Sequence, residues 1–119
     1  MPYVDGFLLA IPTKQLTAYR KMAAKASKVW LEYGAIQYVE CAGDDLKIKG
    51  MASFTKAAAA RKNETVIFSW ITWKSKAARN SGNKKIMKDP RIAKMMQQSE
   101  VTMDMKRMCM GGFKILVNK

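Results

Sequence analysis

The chain has 119 residues, 49% of them apolar, with 22 lysines and arginines against 9 acids, a net charge of +13 and no histidine. That length suits one domain over residues 1–119, able to bury roughly two thirds of the surface its unfolded chain exposes. The missing histidine removes the commonest general base, the usual zinc ligand and the usual proximal haem ligand, so metal chemistry would have to rest on carboxylates. No cofactor or metal is implied, and no catalytic residue stands out.

No apolar run approaches the roughly 20 residues of a membrane helix. The opening run MPYVDGFLLAIP has no basic start and carries Asp5 inside it, so it reads as a strand of a cytoplasmic protein and not as a signal peptide. Residues 3 to 11 are apolar on both alternating faces, Tyr3, Phe7, Leu9 and Ile11 on one and Val4, Leu8 and Ala10 on the other, which predicts a strand covered above and below. Pro12 ends it and Thr13 is placed to cap a helix. From Lys14 the residues Leu16, Tyr19, Met22, Ala23, Ala26, Trp30 and Tyr33 recur at helical spacing, and Gly34 closes the helix. Lys14, Lys21, Lys25, Lys28 and Glu32 form its solvated stripe.

Residues 35 to 42 (AIQYVECA) predict a second strand, followed by turn chemistry at 43 to 45. Residues 44 to 63 predict an irregular excursion, with helical propensity in the alanines of Thr55 to Arg61. The third strand, Thr65 to Trp73, is again apolar on both faces, Val66, Phe68 and Trp70 against Ile67, Ile71 and Trp73. Ser75 then caps a second helix that turns Ala78, Gly82 and Ile86 inward. Asp89-Pro90 restarts a short segment ending near Gln98. Arg107 to Val117 predicts the last strand, with Gly111-Gly112 marking a bulge or a close backbone approach.

Strand, helix, strand, strand, helix, strand is the α+β, ferredoxin-like βαββαβ arrangement: one antiparallel sheet with its helices on one face. Strands apolar on both sides leave the other face wanting cover, so a homodimer through the sheet is expected. The second and fourth strands then lie at opposite edges, about 14 Å apart across three strand spacings. An intrachain disulfide between Cys41 and Cys109 is out of reach, and neither cysteine belongs to a metal-ligand set.

YVDGF at 3 to 7, VECAGDD at 39 to 45, ETVIFSWITWKSKAARNSGN at 64 to 83, MKDPR at 87 to 91 and KRMCMGGF at 106 to 113 resemble the YbaA-like family, bacterial proteins classed as domain of unknown function number 1428. The resemblance runs over almost the whole chain and implies a dimeric α+β barrel, two ferredoxin-like subunits packing their sheets together with the helices outside. Departures fall at Ser53 and Lys74, which are not counted as sites, and along TMDMKRM, where the family pattern has a glycine-containing FDGKRM and a differently shaped loop is expected.

Six residues are candidates for a pocket. Asp5 and Glu40 are carboxylates in apolar strands and require a partner such as Arg107. Trp70 and Trp73 fall on opposite strand faces, so one packs on the helices and Trp70 is available to a pocket. Arg79 and Asn83, one turn apart, are placed to meet an anionic ligand at a helix N-terminus. The leading functional expectation is a small-molecule binding protein or enzyme with a pocket in the barrel. A second is a basic protein meeting RNA or another anionic polymer, drawn from the net charge and the 8 basic residues between Lys74 and Lys94, although no RNA-binding motif accompanies them. A third is a non-catalytic structural or regulatory dimer, for which the 7 methionines from Met87 to Met110 would supply an adaptable surface.

Overall fold

A computed structural model of the chain describes residues 1–119. Four strands, β1 (Tyr3–Pro12), β2 (Ala35–Ala42), β3 (Glu64–Trp73) and β4 (Cys109–Lys114), are joined by helices α1 (Leu16–Glu32), α2 (Phe54–Ala57), α3 (Lys76–Met87) and α4 (Pro90–Gln98). The strands form one antiparallel sheet in the order β2-β3-β1-β4, the ferredoxin-like order.

The alternation along β1 and β3 decides which side carries the helices. Tyr3, Leu9 and Ile11 of β1 and Ile67, Ile71 and Trp73 of β3 are buried in two clusters completed by Tyr19, Ala23 and Val29 of α1, Ala35 of β2 and Ile86 of α3, and the polar Asp5 and Ser69 are buried on the same face. The opposite face of the sheet is apolar too; the 44–63 segment covers its Val66 end through Leu46 and Phe54, while the rest is open within one chain, with Phe68 45% exposed and Phe113, on β4, 60%.

Local chemistry shapes the joints. Pro12 still pairs with Glu64, and the Thr13 N–H donates to Asn63 O at 2.9 Å, so Thr13 does not cap α1. Its hydroxyl instead hydrogen-bonds Thr65 at 2.8 Å, and a 3-10 turn over Thr13–Gln15 leads into the helix. Gly34 ends α1 at φ +108°, a conformation that glycine alone adopts without strain. Ser75 caps α3, its hydroxyl accepting from Ala78 N–H at 3.1 Å, and Asp89 caps α4, accepting from Arg91 N–H at 2.9 Å with Pro90 in the first turn. The two caps break α3 from α4 as the sequence predicts.

The bounds of the last strand change. β4 is shorter than Arg107 to Val117, because Asp104 caps a 3-10 turn over Met105–Arg107 that ends just before the strand. Of the two readings of Gly111-Gly112, regular pairing with β1 removes the bulge, and close approach holds at Gly112, where a β-carbon would strike the Tyr3 ring and lie 2.7 Å from Arg79 Nη2. The alanine-rich stretch makes only the four-residue α2, and Ala59 and Asn63, at φ 50° and 67°, stop it from extending. Cys41 and Cys109 are free and lie on one row of the sheet, with Phe68 and Leu8 between them.

Candidate functional site

The six candidate residues fall in five places. Asp5, 3% exposed, accepts from Trp73 Nε1 at 3.0 Å and from Arg79 Nε at 2.9 Å, with Arg79 Nη2 at 2.8 Å. The Arg79 guanidinium also sits 5.1 Å above the Tyr3 ring. Asp5 therefore meets its requirement for a partner through Arg79, and the expected pairing with Arg107 is corrected. Arg107 lies at the far end of β1, donating to both oxygens of Glu64 at 2.7 and 2.8 Å, to Asp104 at 3.0 Å and to Ala59 O at 2.8 Å. These contacts bind the irregular 44–63 segment to the turn before β4. They also hold the Glu64 carboxyl down at about 2 and push the Arg107 guanidinium up.

Arg79 and Asn83 do not converge on open space. Arg79 turns inward to Asp5, while Asn83 stays half-buried on α3 with no side-chain hydrogen bond. Trp70 is on the uncovered sheet face, where Nε1 donates to Gln37 Oε1 at 3.2 Å and the ring packs edge-on to Phe68 with centroids 5.7 Å apart. A concavity of about 650 Å³ runs over this face between Trp70 and Phe113. Its size follows from the missing cover on the sheet, and it carries no ionisable side chain other than Cys109.

Glu40 is different. It occupies the helix-facing side of β2, and its two oxygens accept one phenol each, Tyr19 OH at 2.7 Å and Tyr38 OH at 2.9 Å. Burial, then the charge of Glu40, pushes both phenols far above their ordinary titration range, so they act as fixed donors and not as bases. No lysine or arginine lies within ion-pair distance of Glu40. Across the β2–β3 register the neighbour of Glu40 is Ser69, buried at 5% exposure, with no hydrogen bond from its hydroxyl to another side chain.

Glu40, Ser69 and the two tyrosines border a partly enclosed cavity of about 170 Å³ between sheet and helices. Its remaining wall is apolar: Phe7, Trp30 and five methionines from α1, α4 and the segment before β4, among them Met95 and Met103. Unbranched and polarizable, the methionines supply a pliable lining. Tyr19, Tyr38 and Glu40 also border an open groove of about 460 Å³ along α1 and the edge of β2, where exposed Arg20 lies. The hydrogen-bonded trio stands between groove and cavity.

Sequence reasoning reached Glu40 but missed Tyr19, Tyr38 and Ser69. Tyr38 and Glu40 two apart on one strand face, with Tyr19 on the inward stripe of α1, carried the signal. No group of three or more Cys, Asp or Glu side chains is gathered for a metal ion, and no helix is long and apolar enough to cross a membrane.

A family model described as "Protein of unknown function (DUF1428)" matches residues 2–105. The chain is 41% identical to the uncharacterized protein YbaA of Escherichia coli and to that of Shigella flexneri, over 100% of this chain and of each relative. Among solved structures, a variant of SnoaB, a cofactor-independent oxygenase from Streptomyces nogalater, superposes with a TM-score of 0.53 at 10% identity, covering 98% of this chain and 95% of that one. Rv0793 from Mycobacterium tuberculosis gives 0.53 at 14% identity, covering 99% and 98%. At such identities the likeness is one of fold.

Proposed function

This chain belongs to the DUF1428 family of proteins of unknown function, and from that premise we propose that it binds or transforms a small molecule in the cavity beside Glu40, as a homodimer joined through the open face of its sheet. The observation carrying this reading is the convergence of the cavity's only ionised group, Glu40, with a hydroxyl that no other side chain engages, Ser69, inside an otherwise apolar wall. Pockets built for small molecules have that composition, a few placed polar groups in an apolar shell. A volume of about 170 Å³ is close to that of the engineered apolar cavity of about 150 Å³ that takes up benzene. One ring with a short polar arm is the right scale of ligand.

A fold shared with a cofactor-independent oxygenase adds, by analogy alone, that this architecture can host chemistry with no bound cofactor. Any proton transfer would fall to Glu40, the one carboxylate on the cavity, with the tyrosines holding it in place. Dimerisation is favoured by the apolar face around Val4, Leu8, Phe68, Trp70 and Phe113, which a second copy would cover.

The reading is tested by filling the cavity. Saturation-transfer NMR with benzyl alcohol should show binding to the wild-type chain. The variant Ala26→Leu, which projects bulk into the cavity from α1, should lose it while melting no earlier. Equal transfer to wild type and variant would place the alcohol elsewhere and defeat the reading.

A further inference from the structure

The buried and half-buried acids of this chain follow one pattern with one exception. Asp5 is paired with Arg79, Glu64 with Arg107 and Asp89 with Arg91, at 2.7 to 2.9 Å. Glu40, half-buried between sheet and helix, has two neutral phenol donors and no cation, in a protein that carries 22 positive residues. The two phenols satisfy both carboxylate oxygens by hydrogen bonds but bring no counter-charge. Glu40 borders both the open groove and the cavity, and the half-buried Trp30 ring and the buried Tyr19 ring line the cavity with it. Aromatic faces attract cations and gain nothing from anions.

We propose that the ligand of this cavity is a small organic cation, an ammonium on a compact apolar or one-ring body, which supplies the counter-ion that Glu40 lacks. This rests on the reading that the cavity is a ligand site and adds the class of ligand. The ammonium would donate to Glu40 and to the Ser69 hydroxyl, neighbours across the β2–β3 register, and its body would lie among Trp30, Phe7 and the methionines. The inference runs against the sign of the whole molecule: a chain of net charge +13 attracts anions from a distance, but the only ionised side chain on this cavity is negative. Arg20, the cation on the adjoining groove, is exposed and makes no ion pair with Glu40.

Three probes of nearly one shape separate the possibilities: benzylammonium, benzyl alcohol and benzoate, each titrated into the wild-type protein and followed by saturation-transfer NMR. Benzylammonium is expected to bind on the order of tenfold tighter than the alcohol, as a charge-assisted hydrogen bond outweighs a neutral one, and benzoate to bind least. Glu40→Gln should bring ammonium and alcohol to within about twofold of each other by removing the charge while keeping the shape. Benzoate binding as well as benzylammonium, or an ammonium preference that survives in Glu40→Gln, would overturn the proposal. Alcohol binding without an ammonium preference defeats the cation and leaves the cavity as a site, whereas binding by none of the three defeats both. The wild-type ranking needs no variant, so it stands as a test even if Glu40→Gln unfolds.

Discussion

At the scale of single residues, the tightest constraints sit where helix α3 meets the sheet. Asp5, Trp73 and Arg79 form a closed polar network under the helix, with Asp5 at 3% exposure and the Arg79 side chain at 22%. Asp5→Ala leaves an arginine partly buried and uncompensated, and the expected loss of about 2–4 kcal/mol, read from urea unfolding, is set below the range for fully buried pairs by that residual exposure. Gly82 rests against Trp73, and a β-carbon there would run into the indole and lie 2.9 Å from Tyr33 O. Gly82→Ala should lower stability by about 1–3 kcal/mol as overpacking, although alanine is the better helix former. A melting temperature at or above wild type would show that the helix can lift away at little cost. Glu64 makes the chain sensitive to acid, because the hydrogen bonds from Arg107 and then from the Arg61 N–H hold its pKa at about 2 against an ordinary 4.5. A lowered folded-state pKa means that the stabilisation is complete above about pH 4.5 and is lost as pH falls through about 2. Arg107→Gln should therefore raise the midpoint of acid unfolding, followed by circular dichroism, by about one pH unit; an unchanged midpoint would assign the acid limit to other carboxylates.

At the scale of elements, legibility in the sequence tracks how local the cause is. The strands, the caps at Ser75 and Asp89 and the break at Pro90 were readable because a few neighbouring residues decide each of them. The short β4 and the 3-10 entry to α1 were not, because Asp104 and the Pro12–Glu64 pairing set them from outside the strand and helix patterns. Pairing of charges was least legible. Asp5 meets Arg79 and Arg107 meets Glu64 across 74 and 43 residues of chain, and only the sheet order and the seating of the helices bring them together. The same limit hid the site: Glu40 could be suspected as a carboxylate among apolar residues, but its partner Tyr19 lies on another element. Helix α4 shows how much one cap controls, since none of its residues is fully buried; Asp89 ties its start to Tyr33 OH at 2.7 Å and holds Arg91, which reaches on to Glu32 of α1 at 2.6 Å. Asp89→Ala should loosen α4 and speed amide exchange along 90–98 well before it affects β1, a pattern readable by hydrogen–deuterium exchange.

At the scale of the whole molecule, the proposed function gives the open face of the sheet and the cavity different partners. The open face offers Val4, Leu8, Trp70 and Phe113 to a second copy, and Leu8→Lys should shift the mass seen by light scattering from twice 13.4 kDa to 13.4 kDa. A variant that stays at the larger mass would place the dimer contact elsewhere. The lysines form none of the ion pairs, so the positive excess is spread over the surface as unpaired charge. Nucleic acid should accordingly bind without sequence preference and fade steeply as salt rises to roughly 0.2 M. The cavity lies under the helices, apart from both. A crystal structure of the wild-type protein soaked in benzylamine tests its role most directly. The ammonium should appear about 2.7–2.9 Å from a Glu40 oxygen with the ring against Trp30. An empty cavity, or one closed over by Met95 and Met103 with Glu40 turned out to a surface cation, would contradict the account.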